Sequence, residues 1–345
     1  MKKLVVALLA LVAATACAAP SSEPTSSTSQ SSTSQSSTPS PSAECAETTT
    51  ASVAALKGPT GMGLAELIDG AEARDPDFHQ PCQEHTFTLH GSPDEITPNL
   101  VNGSLDLAAI PANLAAVLHN KTDGQIQLAA VNTLGVLHVV AKNETVTSLA
   151  DLAGKTVWST GKGTTPEYVV DYLLERNGLA GQVSLEYLSE ASEVAARLAA
   201  ADSGIAVLPE PYVTTVTASD PAVVVALDLT AEWTKVSPNP LVTGVLVVQR
   251  EWAQEHPAEL EVFLGQYGAS VARANADPGH AAAIIAELGI VPSAAVAEQA
   301  IPRSHLSFLT GAEAAAAVRG YLEVLHAANP QSVGGSLPGD DFYLA

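Results

Sequence analysis

Basic residues are scarce in this chain of 345 residues. Lysine and arginine together number 15, against 37 aspartates and glutamates, which gives a formal charge of −22. A chain this acidic repels nucleic-acid phosphates and anionic membrane surfaces at long range. We therefore expect no nucleic-acid partner, and any anion that binds must be held by local groups.

Sequence signatures of catalysis are missing as well. Gly58, Gly61 and Gly63 read G-x-x-G-x-G, the wrong order for a dinucleotide fingerprint. The stretch from Gly161 to Thr164 lacks the upstream glycine of a P-loop, and neither a G-x-S-x-G elbow nor an H-E-x-x-H zinc motif occurs. We therefore expect a protein that is not an enzyme and that holds no cofactor and no metal.

Long apolar runs are absent except at the N-terminus, where residues 4–16 follow Lys2 and Lys3. This run is shorter than the ~20 residues that span a bilayer, so it is typical of a signal peptide covering residues 1–16. It ends in Ala-Thr-Ala-Cys at positions 14–17, which resembles a bacterial lipobox with Cys17 as the lipidated residue. The alternative is ordinary cleavage after an A-x-A site, with Cys17 incidental.

A polar tether follows the predicted lipidation site. Residues 21–42 contain 12 serines and 4 threonines, and such a stretch has no side chains that could form a core. A flexible segment over residues 17–44 has a root-mean-square reach of roughly 30 Å. We therefore expect an exported protein that is lipid-anchored to the outer face of the bacterial cytoplasmic membrane.

Cysteines are few, and two remain after the lipobox: Cys45 and Cys82. Because an exported protein meets an oxidising compartment, we expect a disulfide between them. The bond would close a loop of about 38 residues and stabilise the fold by roughly 4 kcal/mol in the chain-entropy model. The alternative is a metal site that combines Cys82 with the nearby His79 and His85.

After residue 50, short apolar runs alternate with stretches of helical periodicity, which favours an α/β fold with largely parallel strands. The composition, 46% apolar and 15% charged, is that of a globular protein. The predicted strands are 51–56, 86–89, 105–110, 127–132, 136–141, 156–159, 183–188, 205–208, 223–227 and 241–248. Helices are predicted over 64–71, 112–119, 168–175, 193–201 and most of 251–328.

The simplest architecture for this pattern is two lobes joined by two crossings of the chain. We assign residues 45–140 to the first part of lobe 1, residues 141–244 to lobe 2, and residues 245–345 to the return into lobe 1 and its C-terminal helices. The crossings are expected near residues 140 and 245.

Two glycine-containing loops lead from a predicted strand into a helix, one in each lobe. The first runs over residues 57–63 and the second over residues 160–166. Such loops expose backbone N–H groups at a helix start and let a ligand approach closely. In the second loop Thr164 or Thr165 can cap the helix, and Thr164 with Glu167 has capping-box spacing. Tight turns without any ligand are the alternative for each loop.

Five longer segments resemble a family of lipoprotein solute-binding proteins of ABC importers, the broad group of nitrate, sulfonate, taurine and thiamine-precursor binders. The resemblance covers about residue 50 to the C-terminus. It implies a two-lobed type II periplasmic-binding-protein fold with a ligand cleft between the lobes. The segments are residues 56–63, 106–118, 149–172, 206–211 and 332–343.

Carried over by position, the resemblance also implies which residues contact the ligand. The candidates in the first lobe are Lys57, Gly58, Thr60, Gly61, Met62, Ser92, Pro111, Asn113, Asn132 and Thr133. The remaining candidates are Thr160, Gly161, Gly163, Thr164, Thr165, Glu210, Asn239 and Thr243.

Several of these candidates have structural alternatives. Asn113 can cap a helix, Glu210 can be a surface carboxylate, and Asn132 with Thr133 can satisfy backbone groups at the crossing. Trp158 and Tyr168 could stack on a ligand ring, although Trp158 in mid-strand favours the core. The triplet Arg-Ser-His at positions 303–305 departs from the family pattern, which leaves the role of that loop open.

The resemblance implies a monomeric, non-enzymatic binding protein that delivers a small polar or anionic organic molecule to an ABC permease and its ATPase. One alternative is a receptor-like module that binds a ligand without transport. Another is a pyrimidine-precursor enzyme, since the thiamine-precursor branch includes such relatives, although their cysteine-rich motif is missing here.

The lipobox reading makes a prediction about location. Cys17→Ser removes the thiol that would receive the lipid, so the protein should move from the membrane fraction to the soluble fraction. Detergent-free fractionation and immunoblotting measure this, with Cys82→Ser as the matched control that keeps the anchor. A Cys17→Ser protein that stays with the membranes would contradict lipid anchoring.

Overall fold

A computed structural model describes residues 48–344 of the chain. The predicted signal peptide, Cys17, the tether and Cys45 lie outside the described residues. Among the described helices, none combines the length and apolar character needed to cross a bilayer.

The described chain alternates strands with helices almost throughout. The strands are β1 (Thr49–Leu56), β2 (Gln83–His90), β3 (Leu107–Pro111), β4 (Ile126–Leu134), β5 (Leu137–Lys142), β6 (Thr156–Thr160), β7 (Ser184–Leu188), β8 (Gly204–Pro209), β9 (Val223–Asp228), β10 (Val242–Gln249) and β11 (Leu306–Thr310). The helices are α1 (Pro59–Met62), α2 (Ala65–Ala73), α3 (Pro93–Val101), α4 (Ala112–Lys121), α5 (Thr165–Arg176), α6 (Ala191–Ala200), α7 (Tyr212–Ser219), α8 (Leu229–Thr234), α9 (Arg250–Glu255), α10 (Pro257–Ala276), α11 (Pro278–Glu287), α12 (Ala294–Ala300) and α13 (Gly311–Ala328).

The strands form two sheets, which confirms the predicted α/β fold with two lobes. The first lobe is built on a six-stranded sheet in the order β11-β4-β10-β3-β1-β2. The second lobe is built on a five-stranded sheet in the order β7-β6-β8-β5-β9. Helices cover both sheets, as expected when strands such as β3 and most of β4 are buried along their whole length.

The strands that follow a crossing run against their neighbours. β5 is antiparallel to β8 and β9, and β10 is antiparallel to β3 and β4, whereas β1 pairs in parallel with β2 and β3. A strand that enters a sheet directly from the other lobe starts at the edge where the parallel strands end, so it must run the opposite way. The expectation of largely parallel strands is therefore wrong for these strands and for β11, which is antiparallel to β4.

The first crossing is short and lies earlier than the predicted residue 140. β4 ends at Leu134 in the first sheet, and β5 begins at Leu137 in the second. The return leads from the helix Leu229–Thr234 to β10, which begins at Val242 in the first sheet. In the sequence, residues 136–141 form one apolar run that could belong to either lobe. The pairing of β5 with β8 and β9 assigns this run to the second lobe.

One hydrophobic core passes from lobe to lobe. The largest buried cluster contains Val131 and Val245 of the first sheet together with Val139 and Val207 of the second. Trp233 of α8 belongs to it as well and packs its ring 5.0 Å from that of Tyr172 and 5.6 Å from that of Tyr321. The lobes are therefore joined by packed side chains as well as by the two crossings.

The C-terminal part of the chain, predicted to be mostly helical over residues 251–328, also contains a strand. β11 interrupts the helices between residues 306 and 310 and pairs with β4. Its sequence, Leu-Ser-Phe-Leu-Thr, is too short to carry a clear period of its own, and its strand conformation comes from the neighbouring strand. The helix α3, which contains Pro98, was also not predicted, since proline inside a helical pattern reads as an interruption.

The disulfide between Cys45 and Cys82 stays a prediction. Cys82 is disulfide-bonded, and Cys45, its predicted partner, lies outside the described residues. Mass mapping of the unreduced mature protein should yield Cys45 and Cys82 in one cross-linked peptide pair. Reduction should lower the free energy of unfolding by roughly 4 kcal/mol, measured by urea denaturation with and without reductant. A free thiol at position 45 in the mapped protein would contradict the pairing.

Candidate functional site

A cavity of about 130 Å³ lies between the two lobes. Loops at the carboxyl ends of parallel strands line it from both sides, which is where open α/β sheets bind ligands. Lys57 follows β1, Gly91 follows β2, and Ser189 follows β7. The predicted interlobe cleft is thus present as a lined cavity.

Half of the predicted ligand contacts meet in this cavity. Those that line it are Lys57, Thr60, Pro111, Thr133, Thr160, Gly161, Thr164, Thr165 and Thr243. The predicted residues that do not line it are Gly58, Gly61, Met62, Ser92, Asn113, Asn132, Gly163, Glu210 and Asn239. Whether the first group binds a ligand stays a prediction.

Hydroxyl groups without partners mark the side of the cavity formed by the first lobe. Thr133, at the end of β4, is 1% exposed, and its Oγ1 makes no hydrogen bond. Thr243, near the start of β10, likewise has a buried Oγ1 without a partner. This side of the cavity therefore presents two hydroxyl groups that can donate to or accept from a polar ligand.

Gly244 keeps this wall of the cavity in place. A Cβ at Gly244 would lie 2.5 Å from Oδ1 of Asn132 and 2.8 Å from Cγ2 of Thr60. Asn132 itself is 1% exposed and stands next to Thr133 on β4. The absence of a side chain at Gly244 therefore lets Asn132, Thr60 and Thr133 pack together at the cavity.

Most residues of the first glycine loop pack against the local backbone or the core and not against the cavity. The Thr60 hydroxyl donates to the carbonyl of Leu56 at 2.8 Å, and a Cβ at Gly61 would lie 2.8 Å from the same oxygen. The helix α1 has only four residues, too few for a strong dipole, and Met62 is wholly buried in the core of the first lobe. Lys57 is the part of this loop that is exposed at the cavity.

The second glycine loop shows that the predicted capping box is wrong. Thr164 is the N-cap residue of α5, but its hydroxyl donates to the carbonyl of Gly161 at 2.7 Å and makes no capping bond. The carboxylate of Glu167 accepts a hydrogen bond from the N–H of Gly163 at 2.5 Å. In a capping box Glu167 would accept from the N–H of Thr164, but here it accepts from the residue before. One amide donor of the loop is therefore already bound by a carboxylate.

Asn113 connects the lobes and does not cap a helix. α4 begins at Ala112 with Pro111 as its N-cap, and Asn113 is wholly buried. Its Nδ2 donates to the carbonyl of Gly163 at 3.3 Å, and its Oδ1 accepts from the hydroxyl of Thr165 at 3.3 Å. A single side chain of the first lobe thus binds two residues of the second glycine loop, which corrects the capping alternative.

Glu210 is neither a surface carboxylate nor a group that lines the cavity. It is 0% exposed, and its Oε2 accepts hydrogen bonds from the backbone N–H of Thr214 at 3.1 Å and from the Thr214 hydroxyl at 2.7 Å. Arg303 lies 3.2 Å from the other carboxylate oxygen. The surface alternative is therefore wrong: Oε2 is hydrogen-bonded to Thr214, whereas Oε1 has Arg303 at ion-pair distance and no hydrogen bond.

The remaining predicted residues have structural roles near the site. Ser92 caps α3 by accepting from the N–H of Asp94 at 3.3 Å. Asn239 donates to the carbonyl of Gly320 at 2.9 Å, and its own carbonyl accepts from the Trp233 indole at 2.8 Å. Trp158 packs under the guanidinium of Arg197, 4.6 Å from the ring centroid, and does not line the cavity.

The cavity carries little charge. Lys57 is the one charged side chain among its described lining residues. Tyr212 lines the opposite side, and burial together with the nearby Glu190 carboxylate raises the pKa of its hydroxyl, so it is a neutral donor at ordinary pH. The lining therefore offers hydroxyl groups, one phenol and one ammonium group.

The described residues do not support the metal alternative. They contain no group of three or more histidine, cysteine or acidic side chains arranged to hold a metal ion. His85 lies between the rings of Phe87 and Phe263, at 5.8 and 5.2 Å, and burial lowers its pKa to about 4.

Sequence reasoning missed several residues that line the cavity. Tyr212, which begins α7 directly after β8 and its prolines, is the most informative, since the rule that ligands bind beyond carboxyl strand ends points to it. The others are Leu56, Pro59, Gly91, Pro93, Val136, Pro166, Ser189, Ala191 and Pro209. Most of them are small or apolar, and no sequence motif distinguishes such residues from ordinary loop residues.

Comparisons with known proteins bear on both fold and family. A family model described as menaquinone biosynthesis matches residues 71–327. A solved ABC transporter structure from Parabacteroides distasonis is 25% identical, with 86% of this chain and 99% of that chain covered and a TM-score of 0.71. No curated protein matches the chain by sequence.

Two further solved structures share the fold at lower identity. The alkanesulfonate-binding protein SsuA from Xanthomonas axonopodis pv. citri, bound to MOPS, is 16% identical over 86% of this chain and 96% of that chain, with a TM-score of 0.66. The periplasmic nitrate-binding protein NrtA from Synechocystis PCC 6803 is 16% identical over 77% and 74%, with a TM-score of 0.58. The fold is the two-lobed type II periplasmic-binding-protein fold, and the predicted resemblance to this group is confirmed.

The packing at Gly244 makes a stability prediction. Gly244→Ala should lower the free energy of unfolding by about 1–3 kcal/mol, because the new methyl group must displace Asn132 and Thr60. Gly265→Ala is the matched control: Gly265 lies inside α10 with open space around its Cβ position, so alanine should be neutral or stabilise by about 0.5–1 kcal/mol. Urea denaturation measures both, and a Gly244→Ala protein as stable as wild type would contradict the close packing.

Proposed function

We propose that this chain, which belongs to the menaquinone-biosynthesis family, is the extracytoplasmic solute-binding component of an ABC importer. The observation that carries the proposal is the cavity between the lobes, lined by hydroxyl groups from both lobes and by two buried hydroxyls without partners. The described lining supplies groups that bind a molecule but no adjacent nucleophile and base that would transform one.

The ligand is a small polar or anionic organic molecule. Thr133 and Thr243 can donate to or accept from its polar atoms, and the ammonium group of Lys57 can pair with an acidic group at the exposed edge of the cavity. Leu56, Val136 and the surrounding prolines supply apolar contact. This combination of apolar walls with a few convergent polar groups is typical of small-molecule sites.

Capture involves closure of the lobes. Asn113 of the first lobe reaches the second glycine loop, and a Cβ at Gly91 would lie 2.6 Å from a carboxylate oxygen of Glu190 in the second lobe. The two lobes therefore touch at the mouth of the cavity. A ligand that contacts both lobes favours the closed arrangement by its differential affinity for it.

Closure gives the importer a signal to read. The permease and its ATPase would distinguish the closed from the open arrangement and so accept the loaded protein. Cys17 would hold the folded part at the outer face of the cytoplasmic membrane through the polar tether, and a monomer would suffice for this delivery. An enzyme that alters the ligand is an outcome of the test below.

The proposal is tested by native mass spectrometry and by Thr133→Val. The protein purified without denaturation should carry a small molecule, and incubation should return that molecule unaltered. Thr133→Val keeps the shape but removes the hydroxyl, so binding should weaken about tenfold while the free energy of unfolding changes by less than about 1 kcal/mol or rises.

Two outcomes would contradict the proposal. One is a protein that carries no small molecule and binds no sulfonate, carboxylate or pyrimidine in calorimetry. The other is a returned ligand of altered mass, which would support an enzyme.

A further inference from the structure

Arg303 reaches from the first lobe into the second. It ends the short 3-10 helix Ile301–Arg303, which precedes β11 of the six-stranded sheet. Its Nε lies 3.2 Å from Oε1 of Glu210, and its Nη2 donates to the hydroxyl of Thr214 at 2.5 Å. Both of these partners belong to the second lobe, immediately after β8.

The three side chains form a connected set of polar contacts, in which Oε1 of Glu210 receives no hydrogen bond and has Arg303 at ion-pair distance. The Thr214 hydroxyl accepts from Arg303 and donates to Oε2 of Glu210 at 2.7 Å. The Thr214 backbone N–H adds a second bond to that oxygen, at 3.1 Å. Glu210 is 0% and Thr214 1% exposed, whereas the Arg303 side chain is 46% exposed. A buried carboxylate of one lobe is therefore balanced by the half-exposed guanidinium of the other.

This set adjoins the ligand cavity and the first crossing. Pro209 and Tyr212, on either side of Glu210 in sequence, both line the cavity. The position that a Cβ would take at Gly58, in the first lobe, is 4.0 Å from the backbone oxygen of Glu210. Two residues after Arg303, Nδ1 of His305 contacts the carbonyl of Gly135, between β4 and β5.

We propose that Arg303, Glu210 and Thr214 form a latch that holds the cleft closed from within the chain, with Arg303 as a positioning residue for ligand capture. The inference rests on the proposed capture of a ligand by lobe closure, and it adds a closing force that the ligand does not supply. When the lobes separate, water reaches the Glu210 carboxylate. When they close without Arg303, a buried charge is left unpaired, which is strongly unfavourable.

The latch has a functional consequence. A ligand that binds the closed form has an apparent affinity reduced by the fraction of molecules that are not closed. The latch raises the fraction of closed molecules before any ligand arrives, and so it raises the apparent affinity for the ligand. The polar triplet at positions 303–305, where the sequence departs from the family pattern, then has a role in closure: Arg303 holds the second lobe, and His305 contacts the crossing.

The test measures the distance between the lobes without any ligand. Donor and acceptor dyes are attached through unnatural amino acids at Glu72 in the first lobe and Ser203 in the second, both exposed, in the full mature chain after dialysis to remove small molecules. Single-molecule FRET then gives the ratio of open to closed molecules. Arg303→Met should raise this ratio by about tenfold, because a charge-assisted contact of the closed form is lost.

Arg319→Met is the matched control. Arg319 is 43% exposed and pairs with Asp340 at 2.8 Å in the C-terminal region, so its loss should leave the ratio unchanged. Thr214→Val should also open the cleft, and Arg303→Lys should restore part of the closure because it keeps the charge. Thermal melts followed by circular dichroism establish that each variant is folded.

Unchanged FRET distributions in both Arg303→Met and Thr214→Val would overturn the latch. Equal opening in Arg319→Met would overturn it too, since the effect would then not depend on the lobe contact. These readouts need no ligand, so a failed latch leaves the importer proposal intact. A failed mass-spectrometric test would remove the importer proposal but not the measured closure.

Discussion

The structure depends on one topological constraint, which is that the chain passes twice between two sheets. Because the first passage is only a few residues long, β5 must start at the edge of its sheet that faces the first lobe, and β10 does the same in return. These two strands run against their parallel neighbours, whose carboxyl ends all point to the same gap. The gap collects the loops after β1, β2, β3, β6, β7 and β8, and those loops line the cavity.

The constraint also decides where polar groups can be buried. In the first sheet β4 and β10 bring Thr133 opposite Gly244, with Thr243 beside that glycine and with Asn132 and Thr60 packed against it. The second lobe brings Glu210 to the same gap, where it is balanced by Arg303 and Thr214. A site built this way combines neutral hydroxyls that face the cavity with a charged pair that is used between the lobes.

The charged side chains around the cavity follow the same arrangement. The chain is acidic overall, yet Lys57 at the edge of the cavity has no acidic neighbour among the described lining residues. In the second glycine loop the Glu167 carboxylate accepts from the N–H of Gly163, and the Thr164 hydroxyl donates to the carbonyl of Gly161. The lining thus offers hydroxyls and one ammonium group to the proposed ligand, and one amide donor of the second glycine loop is already bound by Glu167.

The sequence by itself determined the α/β class, most strands to within a few residues, the two lobes and half of the cavity lining. It could do so because periodicity, turn residues and the family motifs are local signals. Only the tertiary structure decided the directions of β5 and β10, the strand β11, and the true partners of Asn113, Thr164 and Glu210. The contact between Arg303 and Thr214 joins residues 89 positions apart. No local pattern reports such a pair, because both side chains find their partners only after the two sheets have packed into one cleft.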